Sequence, residues 1–249
     1  MRTKLMNESA PSFRDRTSLL LGPEGAAALS SSRVLVAGLG GVGGTCFEVL
    51  VRSGVASFLV IDADKVEPSN LNRQLLFDTE DLGKKKIDAA YERAALINPD
   101  VNVDGLFMKV DASFDGLLLD GVDVVIDCID DVRGKLGLIR AAKERNIPVL
   151  SSLGMGFRLN PTKVRLSPIE FVIGDPLGRA LKERAKKSGV SLSGVLFAHS
   201  EELPAMKGET IASMMMVPSA AGLALAHGAI SILLKKKLSK QKRQPLTIG

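Results

Sequence analysis

At 249 residues, 45% of them hydrophobic and 24% charged, the chain is globular in composition and long enough for one large α/β domain or a domain with an extension. Its formal net charge of +5 permits an anionic partner, and an ordinary basic surface would read the same way. Two cysteines, Cys46 and Cys128, give no disulfide framework and no Cys-x-x-Cys pair, which excludes a four-cysteine zinc site and suits a reducing compartment.

Residues 1–12 show no periodic pattern and no apolar core of the kind a signal peptide needs. Residues 13–17, which include Arg14 and Arg16, lead into a short helix stopped by Gly22, and Pro23–Leu29 forms a second, with proline at its start. The apolar run Val34–Ala37 feeds directly into Gly38-Leu-Gly40-Gly41-Val-Gly43-Gly44, and Cys46–Val51 has the apolar recurrence of a helix. Such a turn lets a phosphate approach the backbone, where the helix start offers unpaired N–H groups and a positive dipole end. Phe58–Ile61 is the next strand. Asp62 closes it at the spacing, roughly 20 residues, where a dinucleotide fingerprint places its ribose carboxylate.

Residues 63–74 are polar and contain Pro68, so they form a loop. Gly83-Lys84-Lys85-Lys86 opens a helix over Ile87–Leu96, ended by Asn98-Pro99. Val101–Val110 alternates as a strand, whereas Val122–Asp127 is largely continuous, as in a parallel strand buried on both faces. Cys128-Ile-Asp130 follows it. A helix over 131–145, the strand Pro148–Ser152 and a turn at Gly154–Gly156 come next. Lys163–Ser167 reads as a strand. Asp175-Pro176 caps a helix to Lys187 whose cations Arg179, Lys182, Arg184, Lys186 and Lys187 form a solvated face, and Gly194–His199 is another strand.

A polar loop, Ser200–Glu209, precedes an apolar stretch, Ile211–Leu234, that is long enough to span a bilayer. Pro218 should break that stretch, so a buried helix over Ala220–Leu234 is expected, with membrane contact as the alternative. The basic tail 235–243 is expected to fray. Strands alternating with helices give a Rossmann-like, doubly wound, mainly parallel sheet. We expect one domain over 1–249, with a nucleotide-binding core at 13–156 and a C-terminal strand and helix extension at 157–249. The glycine turn, Asp62 and Asp130 all fall at carboxyl ends of strands, where such sheets bind ligands.

A nicotinamide enzyme needs little beyond the fingerprint and Asp62. This chain adds Arg73 and Lys86, which can reach a triphosphate, and Asp130, which can hold Mg²⁺ through one carboxylate. Two cations and one such acid are equipment for phosphoryl or adenylyl transfer. The plainer readings are a surface arginine, a lysine on a solvated helix face and helix-capping aspartates. His199 and His227 lack acidic partners and read as core or surface residues. Cys46 and Cys128 read as packing residues.

The combination of Gly38-Leu-Gly-Gly-Val-Gly43, Asp62-Ala-Asp64, Asn70-Leu-Asn-Arg73-Gln74, Gly83-Lys-Lys-Lys86 and Asp127-Cys-Ile-Asp130 resembles the adenylating superfamily of ubiquitin-activating-type enzymes. The resemblance implies that Gly38, Gly40, Gly41, Gly43, Asp64, Asn70 and Gln74 line an ATP site. It also implies that Asp62 binds the ribose, Arg73 and Lys86 the phosphates, and Asp130 the Mg²⁺. An arginine before the first strand reaches the γ-phosphate across a homodimer interface in that superfamily. Arg16 matches it best and Arg14 is the fallback.

Within the superfamily the chain is most similar to the tRNA threonylcarbamoyladenosine dehydratases. The carrying residues are Arg16-Thr-Ser-Leu-Leu-Leu-Gly22, Asp130-Asp-Val-Arg133-x-Lys135, Asn160-Pro-Thr162, Asp175-Pro-Leu177 and Val195-Leu-Phe197. That resemblance implies an ATP-dependent ligase-type enzyme acting on a modified adenosine beside the tRNA anticodon. The side-chain carboxylate is adenylated and the ring closes within the same side chain. Arg133 and Lys135 are implied near the nucleotide or substrate, and the basic segments 179–187 and 235–243 along the RNA. A sulfur-transfer protein is an implied companion, and the expected location is cytoplasmic, with membrane association or a mitochondrion as alternatives. The competing activity is adenylation of a ubiquitin-like or sulfur-carrier C-terminus, but its usual cysteine pairs are absent here.

Overall fold

The computed structural model describes residues 12–206, 208 and 210–241. The expectations for residues 1–11, Lys207, Glu209 and 242–243 lie outside the described residues. In chain order the elements are α1 (Asp15–Ser30), β1 (Arg33–Ala37), α2 (Gly41–Arg52), β2 (Ser57–Ile61), α3 (Lys86–Ile97), β3 (Asn102–Leu106) and β4 (Val124–Asp127). Then come α4 (Val132–Glu144), β5 (Val149–Ser152), β6 (Val164–Pro168), α5 (Pro176–Ser188), β7 (Leu196–Ser200) and α6 (Met216–Gln241).

The strands form a seven-stranded sheet in the order β3-β2-β1-β4-β5-β7-β6, parallel throughout except for β6, which runs antiparallel to β7. This is the doubly wound, mainly parallel sheet expected from the alternating pattern, and β6 and β7 join it from the C-terminal segment. Continuous apolar strands follow from burial on both faces. In β1, Val34 and Val36 enter the core beneath α2, α3 and α6, while Leu35 and Ala37 enter the core beneath α4 and α5. Phe47 of α2 meets Phe58 of β2 edge to face, with ring centroids 4.8 Å apart.

Three boundaries differ from expectation. β3 ends at Leu106, not Val110; it is an edge strand, and Met108 N–H turns back onto the Leu106 carbonyl at 3.0 Å. Pro218 does not break the C-terminal helix. It sits in the first turn of α6, where a missing N–H leaves no intrahelical bond unmade. The same helix continues through Gln241, so the basic residues 235–241 are helical. α1 is two helical pieces meeting at Gly22 (φ 72°, ψ 169°) and Pro23, as the glycine and proline suggest.

α6 is long and apolar enough to cross a membrane by length and composition. It is also a packed element: Val217, Ala221, Leu225, Ala229 and Leu233 recur every four residues and are all buried. Gly222 lets it approach α2, since a Cβ there would lie 2.6 Å from the Val42 carbonyl oxygen and 2.8 Å from Thr45 Cβ. Gly222→Val is therefore expected to destabilise the fold by about 1–3 kcal/mol through overpacking. Leu223→Ala, at a half-exposed neighbour, should change stability by less than about 0.5 kcal/mol. Denaturant midpoints at constant slope decide the matter, and equal midpoints would mean the two helices do not depend on close approach.

Candidate active site

The strand order reverses between β1 and β4, and a crevice opens above the carboxyl ends of those two strands. The Cys128 N–H donates to the Ala37 carbonyl at 2.7 Å, which holds the two strand ends together. Gly38 leaves β1 with φ +87°, and a Cβ on it would lie 2.7 Å from the Cys128 carbonyl oxygen. A Cβ on Gly43 would overlap the Gly38 carbonyl oxygen. Gly40 caps α2 without any side-chain acceptor, so the first-turn N–H groups stay open to the crevice.

This crevice has a volume of about 460 Å³. Gly38, Gly40, Gly41, Asp62, Asp64, Asn70, Arg73, Gln74, Lys86 and Asp130 all border it, so the structure brings these sequence-identified residues together. Gly43 stands just behind, as the contact that lets α2 start there.

Asp62 is buried and fixed at both oxygens: Oδ2 accepts the Leu39 N–H at 2.7 Å and Oδ1 accepts the Asp64 N–H at 2.8 Å. Its remaining lone pairs can accept ribose hydroxyls. The Lys86 side chain is buried up to its ammonium, which reaches Asp64 Oδ2 at 2.9 Å, and that carboxylate is exposed. Arg73 is held by the loop it stands on, donating to the Ser69 carbonyl at 2.7 Å and to Asn72 Oδ1 at 2.9 Å. Asn70 organises this loop by accepting the Glu67 N–H on Oδ1 and the Arg73 and Gln74 N–H groups on its carbonyl. Gln74 Oε1 is buried with no hydrogen-bond partner. Across the crevice, the Asp130 carboxylate makes no hydrogen bond or ion pair among the described residues, while Asp131 caps α4 through the Gly134 N–H at 2.8 Å.

A second crevice of about 420 Å³ continues from the first and is mostly apolar. Arg73, Cys128 and Asp130 border both, so they stand where the two meet. Its floor is the end of β5 and the segment after it, Ser152–Phe157. Arg158 pins that floor: it is buried, pairs with Asp175 at 3.2 Å and donates to the Gly154, Gly156 and Glu202 carbonyls. Burial, with the Asp127 charge adding to it, pushes the Cys128 thiol up to about 12. A thiol held that high is protonated at neutral pH, the state that is inert as a nucleophile.

One sequence expectation changes here. Lys135 does not face the nucleotide. It is completely buried, with Nζ 3.1 Å from Asp127 Oδ2, 3.1 Å from Ser151 Oγ and 2.7 Å from the Ser152 carbonyl. The first turn of α4 stands over the ends of β4 and β5, and this position of it turns inward. Arg133, two residues earlier, is exposed on a separate cleft beside Asp130. Arg16 is exposed on α1 and borders neither crevice. Arg14 donates to Asn98 Oδ1 at 3.2 Å, at the far end of the sheet, so neither arginine reaches the crevice of its own chain. Sequence reasoning also missed Met108, Lys109 and Val110, which border the nucleotide crevice because β3 stops early. It missed Arg158 too, for which the capping signal at Asp175 was the only visible hint.

The model of the ThiF family matches residues 14–248. A tRNA threonylcarbamoyladenosine dehydratase of Bacillus subtilis (strain 168) is 32% identical to the chain over 239 residues, covering 88% of this chain and 94% of the relative. The crystal structure of the E. coli tRNA N6-threonylcarbamoyladenosine dehydratase in complex with ATP is similar with a TM-score of 0.83 at 30% identity, covering 93% of this chain and 96% of that one. The complex of the same E. coli protein with AMP gives a TM-score of 0.82, covering 92% and 95%.

The Lys135–Asp127 pair supports this site from below, because Asp127 Oδ1 also accepts the Ile129 N–H, at 3.1 Å, and so shapes the turn that carries Asp130. Removing one member leaves a buried charge unpaired. Lys135→Met is expected to cost about 3–5 kcal/mol in denaturant unfolding, with part of the loss recovered in Lys135→Met/Asp127→Leu. An unchanged midpoint for the single variant would show that the pair is not structurally coupled.

Proposed function

The chain belongs to the ThiF family, and we propose that it uses ATP to cyclise threonylcarbamoyladenosine in tRNA, with loss of water. One observation carries this reading: a nucleotide crevice with ribose and phosphate ligands runs into an apolar crevice, and Arg73 and Asp130 stand at the junction. A carboxylate entering from the second crevice meets the α-phosphate there.

The residues suit ATP. The glycine turn makes a cradle that a Cβ would fill, Gln74 Oε1 is an unmatched acceptor, and Lys86 can exchange the exposed Asp64 for a phosphate. They also suit Mg²⁺, which commonly takes one or two carboxylates and completes its shell with phosphates and water. The free carboxylate of Asp130 meets that need, and a magnesium ion bound there would neutralise charge on the phosphates.

In the reaction, Asp62 holds the ribose, while the α2 amides, Arg73 and Lys86 hold the phosphates. The threonine carboxylate attacks the α-phosphorus and pyrophosphate leaves. The carbamoyl group of the same side chain then attacks the activated carbonyl, and AMP leaves. The elements of water depart with AMP and pyrophosphate. Because the second nucleophile is already attached, proximity supplies much of that step. No thiolate is needed, in keeping with the protonated Cys128.

The exposed face of α5, Arg179, Lys182, Arg184, Lys186 and Lys187 against Glu183, offers the polyanion a basic approach near Asp130. The other basic segment is differently placed. Lys236 pairs with Asp123 before β4, at the opposite end of the sheet from Pro218, which borders the apolar crevice. The same reading has a cytoplasmic homodimer in which Arg16 of one copy reaches the terminal phosphate held by the other. Its exposure and its distance from its own crevice support that arrangement.

ATP–pyrophosphate exchange tests the function. It should depend on tRNA carrying the threonylcarbamoyl group, and Arg73→Ala and Lys86→Ala should each reduce it by about 100-fold or more while remaining folded by circular dichroism. Exchange that depends instead on a small carrier protein would replace this reading with carrier activation.

A further inference from the structure

The apolar crevice is larger than an amino-acid side chain requires, and Arg73 and Asp130 border it at the end where it meets the first crevice. A substrate whose carboxylate lies at that end must place the group bearing the side chain further along the crevice. On the reading above, that group is a purine.

The chain is poor in aromatic residues, with nine Phe, one Tyr and no Trp, and Phe47, Phe58, Phe77, Phe114 and Phe197 are spent in the core. Among the described residues, Phe157 is the aromatic that lines the apolar crevice. It also lines a neighbouring apolar cavity of about 260 Å³, shared with Leu159, Met206 and Met214. Its ring thus stands between two apolar spaces.

The backbone at Phe157 is held in an unfavourable conformation. Its φ is +60°, an outlier for a bulky side chain. Its N–H donates to the Ala212 carbonyl at 2.8 Å and its carbonyl accepts the Ala205 N–H at 2.7 Å. Arg158, the next residue, is bonded on all sides. These bonds hold the conformation in place. Strained residues of this kind concentrate where they serve a ligand.

We infer that Phe157 is the stacking platform for the target adenine, taken out of the anticodon-loop stack so that its side chain can reach the phosphates. This rests on the tRNA reading of the same site. Enzymes acting on a base in a stack extrude it and hold it against aromatic and apolar side chains. Stacking on an aromatic ring suits any purine face and does not depend on charge. A protein C-terminus in the same crevice would gain little from a flat ring.

The test is steady-state ATP–pyrophosphate exchange with modified tRNA for the wild type, Phe157→Tyr, Phe157→Leu and Phe157→Gly. The leucine and glycine variants should raise the KM for tRNA by about 10- to 100-fold, leave the KM for ATP unchanged and keep the wild-type salt dependence. Phe157→Tyr should stay within about 2-fold of wild type, since the ring is kept. Glycine adopts a positive φ without steric cost, so that variant reads the result even if the leucine variant fails to fold. A wild-type KM for tRNA in the glycine variant overturns the inference, as does a parallel rise in the KM for ATP. Absence of tRNA-dependent exchange in the wild-type protein overturns the functional reading, and the stacking role with it.

Discussion

The close approach of the β1–α2 turn to the end of β4 is the constraint on which the rest of the structure rests. The backbone at Gly38 passes so near the Cys128 carbonyl that a side chain has no room, and Gly43 allows α2 to start directly against Gly38. Two strand ends and a helix start therefore share one small volume. The helix dipole, the Asp62 carboxylate and the Asp130 turn are all aimed at that volume because backbone geometry leaves them no other direction.

Two polar networks keep this arrangement from relaxing. Asp62 spends both carboxylate oxygens on backbone N–H groups, so it braces the glycine turn. Beneath the opposite wall, Lys135, Asp127 and Ser151 form a fully buried cluster in which Ser151 donates to Asp127 Oδ2 at 2.6 Å. Such a cluster is costly to desolvate and costlier to leave half-made, so it favours one arrangement of the turn over its neighbours. The crevice above is flexible in chemistry but not in shape. Lys86 can exchange partners because Asp64, which it pairs with, is exposed, and the Asp130 carboxylate is unpaired among the described residues, whereas the elements that carry them are fixed by buried groups.

The second crevice follows a different logic. Its floor is a loop stabilised by one buried arginine, Arg158, and its walls are shared between the β1–β4 core, through Gly40, Val42 and Ile129, and the C-terminal half of the chain, through Pro176, Leu177 and Pro218. The first crevice thus belongs to the β1–β4 core, whereas the second is shared between that core and segments of the C-terminal half.

Much of this was legible in the residues alone. Strand and helix periods, the glycine spacing and the acids at strand ends are local properties, and they suffice to place Gly38, Gly40, Gly41, Asp62, Arg73, Lys86 and Asp130 around one crevice. What local pattern cannot encode is rotation of a helix about its axis or the point at which an edge strand gives up pairing. Lys86 and Lys135 both lie in the first turn of a helix near an aspartate, yet one faces the crevice and the other is sealed in the core, because packing against the sheet decides the angle. The same holds for Met108 and Val110, which border the crevice because β3 ends early, and for Phe157, whose backbone is set by segments some 50 residues away at Ala205 and Ala212. Sequence determined which chemistry the chain carries at its strand ends, because glycine sterics and strand periods act between near neighbours. The tertiary structure decided which of the remaining charged and aromatic groups face that chemistry, because burial is a property of the whole packed molecule.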